Sequence, residues 1–145
     1  MKRNIIIIVL LIIAVAGWYA YRLYEERTPD VVNKKPDVTI TATDLLAAFD
    51  KDTANAAKRF TNKILAVTGL VISADSSAII LGEPNAQSSV VCGVDSRHRN
   101  DFKKIKIGSV TTVQGNYVGF EKEEMLDVSL GTTVHLSFAG VKNKN

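Results

Sequence analysis

The chain has 145 residues, 18 of them Lys or Arg and 15 Asp or Glu, for a net charge of +3; this length accommodates one domain plus an appendage and excludes two packed domains. Three Pro and nine Gly exclude a collagen-like or low-complexity chain, and 46% apolar residues exclude wholesale disorder. The single cysteine, Cys92, excludes an intrachain disulfide and a thiolate zinc site. Charge is unevenly spread: residues 1–36 carry six basic and three acidic side chains, which is the whole excess of +3, and the remaining 109 residues balance at twelve of each.

From Ile5 to Tyr21 the chain reads IIIIVLLIIAVAGWYAY, 17 residues without a charge, preceded by Lys2 and Arg3. A helix of this length spans about 25 Å against a hydrocarbon core of roughly 30 Å, a gap that Arg22 closes by snorkelling while Leu23 and Tyr24 extend the apolar surface. Trp18, Tyr19, Tyr21, Arg22 and Tyr24 form the expected membrane interface, since amphipathic rings favour the headgroup layer. Two readings stand for residues 1–24: a single-pass anchor, or a secretory signal cleaved after Ala14-Val15-Ala16. The apolar run continues past that site without a polar region, which favours the anchor. No Cys lies near residue 20, which excludes a lipid-modified lipoprotein. Basic residues flank both ends of the span, so charge alone does not orient it. A four-residue tail ahead of the apolar run has the layout of a signal anchor, with the N-terminus in the cytoplasm and the following domain exported.

Residues 25–37, EERTPDVVNKKPD, carry Pro29 and Pro36 among charges and read as a linker to a domain over 38–145. Thr41 or Thr43 can cap a helix over DLLAAFD and Asp52 a second over TANAAKRF, with Leu45, Leu46, Phe49 and Phe60 facing the core. From Lys63 the period turns strand-like. KILAVTGLVIS is apolar on both parities, with Gly69 suggesting a bulge or sharp coil. SAIILG and SSVVCGV complete a meander. In RHRNDFKKI, Asn100 can cap a short helix that buries Phe102 and Ile105. A fourth strand enters through Gly108 and leaves through Gly115. The acidic run Glu121, Glu123, Glu124 and Asp127 reads as a solvated loop, and a long fifth strand bends at Gly131.

Three strands, a short helix and two strands make a mainly β fold, the five-stranded Greek-key OB barrel, here preceded by the N-terminal transmembrane helix and two short helices. The segment DVTITATDLLAAFDKDTANAAKRFTNKILAVTGLV, with VVCGVD and IKIGSVTTVQGNYVGF, resembles the bacterial membrane-anchored OB-fold family described as tRNA-anticodon-binding-like. The resemblance rests on Thr41 to Phe49, Lys63 to Gly69, Val90 to Cys92 and Gly108 to Gly115, with Thr111 where a β-branched apolar residue is usual. These are motifs of fold, and they imply no particular chemistry.

An OB domain that binds nucleic acid needs a basic groove and stacking aromatics on its middle strands. This domain is charge-balanced, and its second and third strands contain no Phe, Tyr or Trp. Arg97, Arg99, Lys103 and Lys104 form a candidate polyanion patch, whose alternative is a solvated helix face. His98 and His135 are 37 residues apart, and no nucleophile elbow, glycine-rich phosphate loop or metal motif accompanies them. Cys92 sits in a β-branched strand and reads as a small core residue. No cofactor or metal is expected. The sequence therefore points to a non-catalytic module on the periplasmic side of a bacterial inner membrane. A protein, peptide or small envelope ligand would bind at the rim formed by Asp75 to Ser77, Glu83 to Ser88 and Asn116 to Glu124, with Asn116, Tyr117 and Phe120 as its contact residues. The alternative is a cytoplasm-facing OB-fold nucleic-acid binder.

Overall fold

The computed structural model describes residues 2–26, 30–125 and 128–142, and side chains within 6–23, 30–123 and 131–142. The chain forms two units, Met1–Asp30 and Val31–Asn145. In the first, the apolar run is a single helix, α1 (Lys2–Glu26), about 37 Å long at 1.5 Å per residue. The second holds β1 (Val38–Thr41), α2 (Ala42–Lys51), α3 (Thr53–Phe60), β2 (Ile64–Ala74), β3 (Ala78–Gly82) and β4 (Ser89–Val94). A 3-10 turn (Ser96–His98), α4 (Arg99–Phe102), β5 (Val110–Met125) and β6 (Val128–Val141) follow.

The strands close into a barrel in the order β2-β3-β4-β6-β5 and back to β2. Neighbours are antiparallel except β4 and β6, which run parallel. This is the five-stranded OB topology, with the short helical segment between β4 and β5 as expected. β1 was not foreseen: four residues pair in parallel with Leu65 to Thr68, on the edge of β2 that β3 leaves empty. β2 thus serves both sides of the barrel, but Gly69 is not its bulge. The register shift falls between Val71 and Ser73, and Gly69 instead permits a close approach, since a Cβ there would lie 2.8 Å from Ala42 Cβ and 3.2 Å from Leu81 Cβ.

The helical caps are built as the sequence predicts. Thr41 Oγ1 accepts from Asp44 N–H at 3.1 Å at the start of α2, and Asp52 ends α2 and opens α3 by accepting from Asn55 N–H at 3.0 Å. α2 touches β1, β2, β3, β4 and β6, and it buries Leu45 and Phe49 against the interior residues Leu65, Val67, Ile79, Leu81, Val90, Cys92 and Val134. Phe49 stacks on Phe60 and Tyr117 at ring distances of 5.9 and 6.0 Å and meets Phe120 at 5.2 Å. Burial of each such ring contributes about 1.5–3 kcal/mol.

Three local expectations are corrected. Asp95 rather than Asn100 caps the segment before α4, accepting from Arg97 N–H at 3.0 Å, because the first turn is 3-10 and starts five residues earlier. β5 does not stop at Gly115: it runs on to Met125, paired with β6 throughout, so Glu121, Glu123 and Glu124 are strand rather than loop residues. Asp127 lies outside the described residues. Residues 31–37, read as linker from composition, lie against the barrel. Val31 is buried, Asp37 Oδ2 accepts from Ile64 N–H at 2.8 Å, and Gln114 Nε2 donates to the carbonyls of Val31 and Lys34 at 2.6 and 2.7 Å.

Candidate functional site

α1 exposes apolar side chains on every face, from Ile6 to Leu23. Trp18, Tyr19 and Tyr21 are all more than 60% exposed at its C-terminal end, and the Arg22 guanidinium lies 5.9 Å from the Trp18 ring centroid. The fifth member of the expected interface, Tyr24, has its side chain outside the described residues. Among the described residues, α1 is long and apolar enough to cross a membrane.

The three segments expected to form one rim do not come together as one: the turns Asp75 to Ser77 and Glu83 to Ser88 lie at opposite ends of β3, and Asn116 to Glu124 is part of β5. Glu83 to Ser88 lies beside α2 and the start of β6: Thr132 N–H donates to Ser88 Oγ at 3.0 Å, Thr132 Oγ1 donates to Asp50 Oδ1 at 2.9 Å, and Thr43 Oγ1 donates to Glu83 Oε1 at 3.4 Å. Two open grooves of about 200 and 390 Å³ meet at Asp50, Ala86 and Ser88, the second reaching Lys122 and Gly131. Asp75 to Ser77 sits at the other end, where Val94 N–H donates to Ser77 O at 2.8 Å. Asp75 Oδ1 is engaged in its own turn, accepting from Ser77 N–H, Ser77 Oγ and Ala78 N–H. These bonds, the Ser77 hydroxyl first, hold its carboxyl below the usual range.

Of the contact residues expected on β5, Tyr117 and Phe120 face inward. Tyr117 is 7% exposed and belongs to the Phe49–Phe60 aromatic cluster, where burial raises its pKa. Phe120 packs on Phe49, and Asn116 is half-buried between Ile64 and Ser137 in the sheet. The inward turn follows from register: Tyr117 pairs with Leu136 and Phe120 with Val134, both interior positions, while Val118 between them occupies a bulge and is exposed. Of the groove-lining residues, Gln87, Ser88 and Lys122 fall within the segments expected to form the rim, whereas Asp50 does not, because it comes from α2, a helix read from the sequence only for its core-facing side.

The candidate polyanion patch is also reorganised. Arg97 is committed to Asp95, with Nε 3.0 Å from Oδ1 and Nη2 2.5 Å from Oδ2. The Arg97 hydrogen bonds hold the Asp95 carboxyl below the usual range, against an opposing effect of burial. Arg99, Lys103 and Lys104 remain exposed. Cys92 is buried and its thiol is pushed up to about 12 by desolvation, so it carries no thiolate at neutral pH. Among the described residues no cluster of His, Cys, Asp and Glu could hold a metal ion. His135 Nε2 lies 3.7 Å from Glu121 Oε2.

The family model described as tRNA_anti-like matches residues 1–128. Among solved structures, the chain is similar to a "putative nucleic acid-binding lipoprotein" from Klebsiella pneumoniae subsp. pneumoniae MGH 78578. That match has 16% identity and a TM-score of 0.51, and covers 70% of this chain and 89% of that one. A "putative aspartyl-tRNA synthetase" from Leishmania major Friedlin matches at 10% identity and a TM-score of 0.42, over 88% of this chain and 26% of that one. The first likeness is one of fold. No curated protein matches.

Proposed function

Because the chain belongs to the tRNA_anti-like family of OB barrels, and carries α1 ahead of its barrel, we propose that it is a membrane-tethered, non-catalytic binding module. An uncleaved N-terminal anchor holds it in the bacterial inner membrane with the barrel on the periplasmic side. The observation that carries this reading is the exposure of every described large apolar side chain of α1, from Ile6 to Leu23, a surface that is stable in lipid and costly in water. The ligand is a protein, peptide or small envelope molecule. Its rim is the end of the barrel where α2, the β3–β4 connection and the start of β6 surround Asp50, because grooves and polar side chains converge there. The second reading, single-stranded nucleic acid, draws on the exposed lysines of the domain, but β3 and β4 offer no aromatic ring for stacking.

Alkaline carbonate extraction of membranes tests the tether. The intact chain stays in the membrane fraction. An Ile12→Asp/Ile13→Asp variant, which places two charges at the centre of the span at about 3 kcal/mol each, is released. Release of the unmodified chain sinks the reading.

A further inference from the structure

The charge balance of residues 37–145 conceals a spatial segregation. Two adjoining grooves of about 350 and 470 Å³ share Asp101 and Val141. The first is lined by Lys104 and Lys106, the second by Lys34, Lys35 and Lys142. Five lysines from three remote segments thus line the two grooves against one carboxylate, with Lys34 and Lys35 supplied by the segment ahead of residue 37. The segment before β1 brings Lys34 and Lys35 there because Gln114 holds its carbonyls, and Lys142 arrives at the end of β6 with its Nζ donating to Gln114 Oε1 at 3.0 Å. Beside Lys106 a tight turn, closed by Ser109 N–H donating to Lys106 O at 3.1 Å, carries Ile107 at its tip. Gly108 takes a positive φ of 83° there. Ile107 and Val110 are 67% and 69% exposed, the most exposed large apolar side chains among the described residues of the barrel unit.

We propose that this basic end of the barrel docks on the anionic headgroups of the bilayer that holds α1, with lysines on the phosphates and Ile107 and Val110 in the interfacial layer. The inference rests on the proposed tether in one respect: seven residues lie between Glu26 and Lys34, and the eight steps of chain reach at most about 28 Å. Lysines interleaved with exposed aliphatic side chains suit a headgroup layer, which offers phosphate and hydrocarbon together. A single-stranded nucleic acid would instead call for rings to stack its bases, and neither groove has an aromatic residue other than His98 in its lining. Docking by this end turns the Asp50 rim away from the membrane.

The test uses the full chain in nanodiscs, with spin-labelled headgroups and backbone amide signals as the readout. Phosphatidylglycerol-containing discs broaden the amides of residues 34–35, 104–110 and 142, whereas purely zwitterionic discs leave them sharp. High salt and a Lys34→Gln/Lys35→Gln/Lys104→Gln/Lys106→Gln variant restore sharp signals. At roughly five-fold per lysine, the variant lowers the docked-to-undocked ratio several hundred-fold. Ile107→Ser/Val110→Ser weakens docking while leaving its salt dependence intact. Broadening that is independent of phosphatidylglycerol or of the four lysines overturns the proposal. So does a single-stranded oligonucleotide that perturbs the same amides equally in zwitterionic discs. The tether is read separately, by co-purification with the discs. A chain that stays outside them yet binds phosphatidylglycerol vesicles through these lysines refutes the tether and keeps the docking, and one that does neither refutes both.

Discussion

Gln114 is fully buried in β5, and its amide spans two jobs. The Nε2 group donates to the carbonyls of Val31 and Lys34, and Oε1 accepts from Lys142. An unpaired buried carbonyl costs about 1–3 kcal/mol, so one side chain fixes both the path of the chain into the barrel and the position of a lysine. Gln114→Leu is expected to lower the stability of the chain by about 2 kcal/mol in a denaturant titration and to open residues 31–36 to limited proteolysis. An unchanged cleavage pattern would contradict this role. Nothing local marks Gln114 as buried, because its partners lie 83, 80 and 28 residues away. The helical caps were legible at this scale. Thr41 and Asp52 each sit next to the N–H groups they accept from, three residues on, which is information a linear sequence contains. Asn100 was a competent cap displaced by Asp95, whose carboxylate also captures Arg97.

The elements assemble through α2. Its first residue, Ala42, rests over Gly69 of β2, where the absent side chain lets helix and strand meet. Gly69→Ala would place a Cβ 2.8 Å from that of Ala42 and 3.2 Å from that of Leu81, and overpacking of this kind costs about 1–3 kcal/mol. Ala42→Gly in the same chain removes the nearer contact, so the double variant is expected to regain part of the loss. Thermal unfolding of the four members of this cycle checks it, and strict additivity would show that the contact is not the cause. The sequence placed Gly69 at a special position in β2 and assigned it the wrong device, since a bulge and a close approach both call for glycine. β1 escaped notice for a different reason. Val38 and Ile40 alternate with Thr39 and Thr41 in polarity and burial, but four residues are too short a run to mark a strand, and they pair in parallel only because β3 leaves one edge of β2 open beside them. β5 was cut short at Gly115 because glycine and then a run of acids mimic a turn and a loop. Its pairing with β6 carries it through both.

At the scale of the whole molecule, the long β5–β6 hairpin connects the lysine-rich grooves to the groove at Asp50. From Thr111 beside the basic grooves to Glu121 the strand advances ten residues, at most about 33 Å before curvature. The lysine-rich end gathers the lead-in segment, the turn before β5 and the end of β6, while Asp50, Glu83, Glu121 and Glu123 lie toward the other. Barrel topology, α1 and the two capped helices could be read from composition and period. The gathering of lysines at one end could not, because it arises from register among segments that are remote in sequence. The proposed module therefore has an anchor, a basic end and a grooved end, and its function depends above all on which side of the membrane the barrel occupies. Protease added to intact cells, to cells with a permeabilised outer membrane and to lysates tests this most directly. The account predicts that the barrel is protected in intact cells and digested once the outer membrane is opened, with the anchor segment left in the inner membrane. Protection that persists until the inner membrane is broken would contradict it.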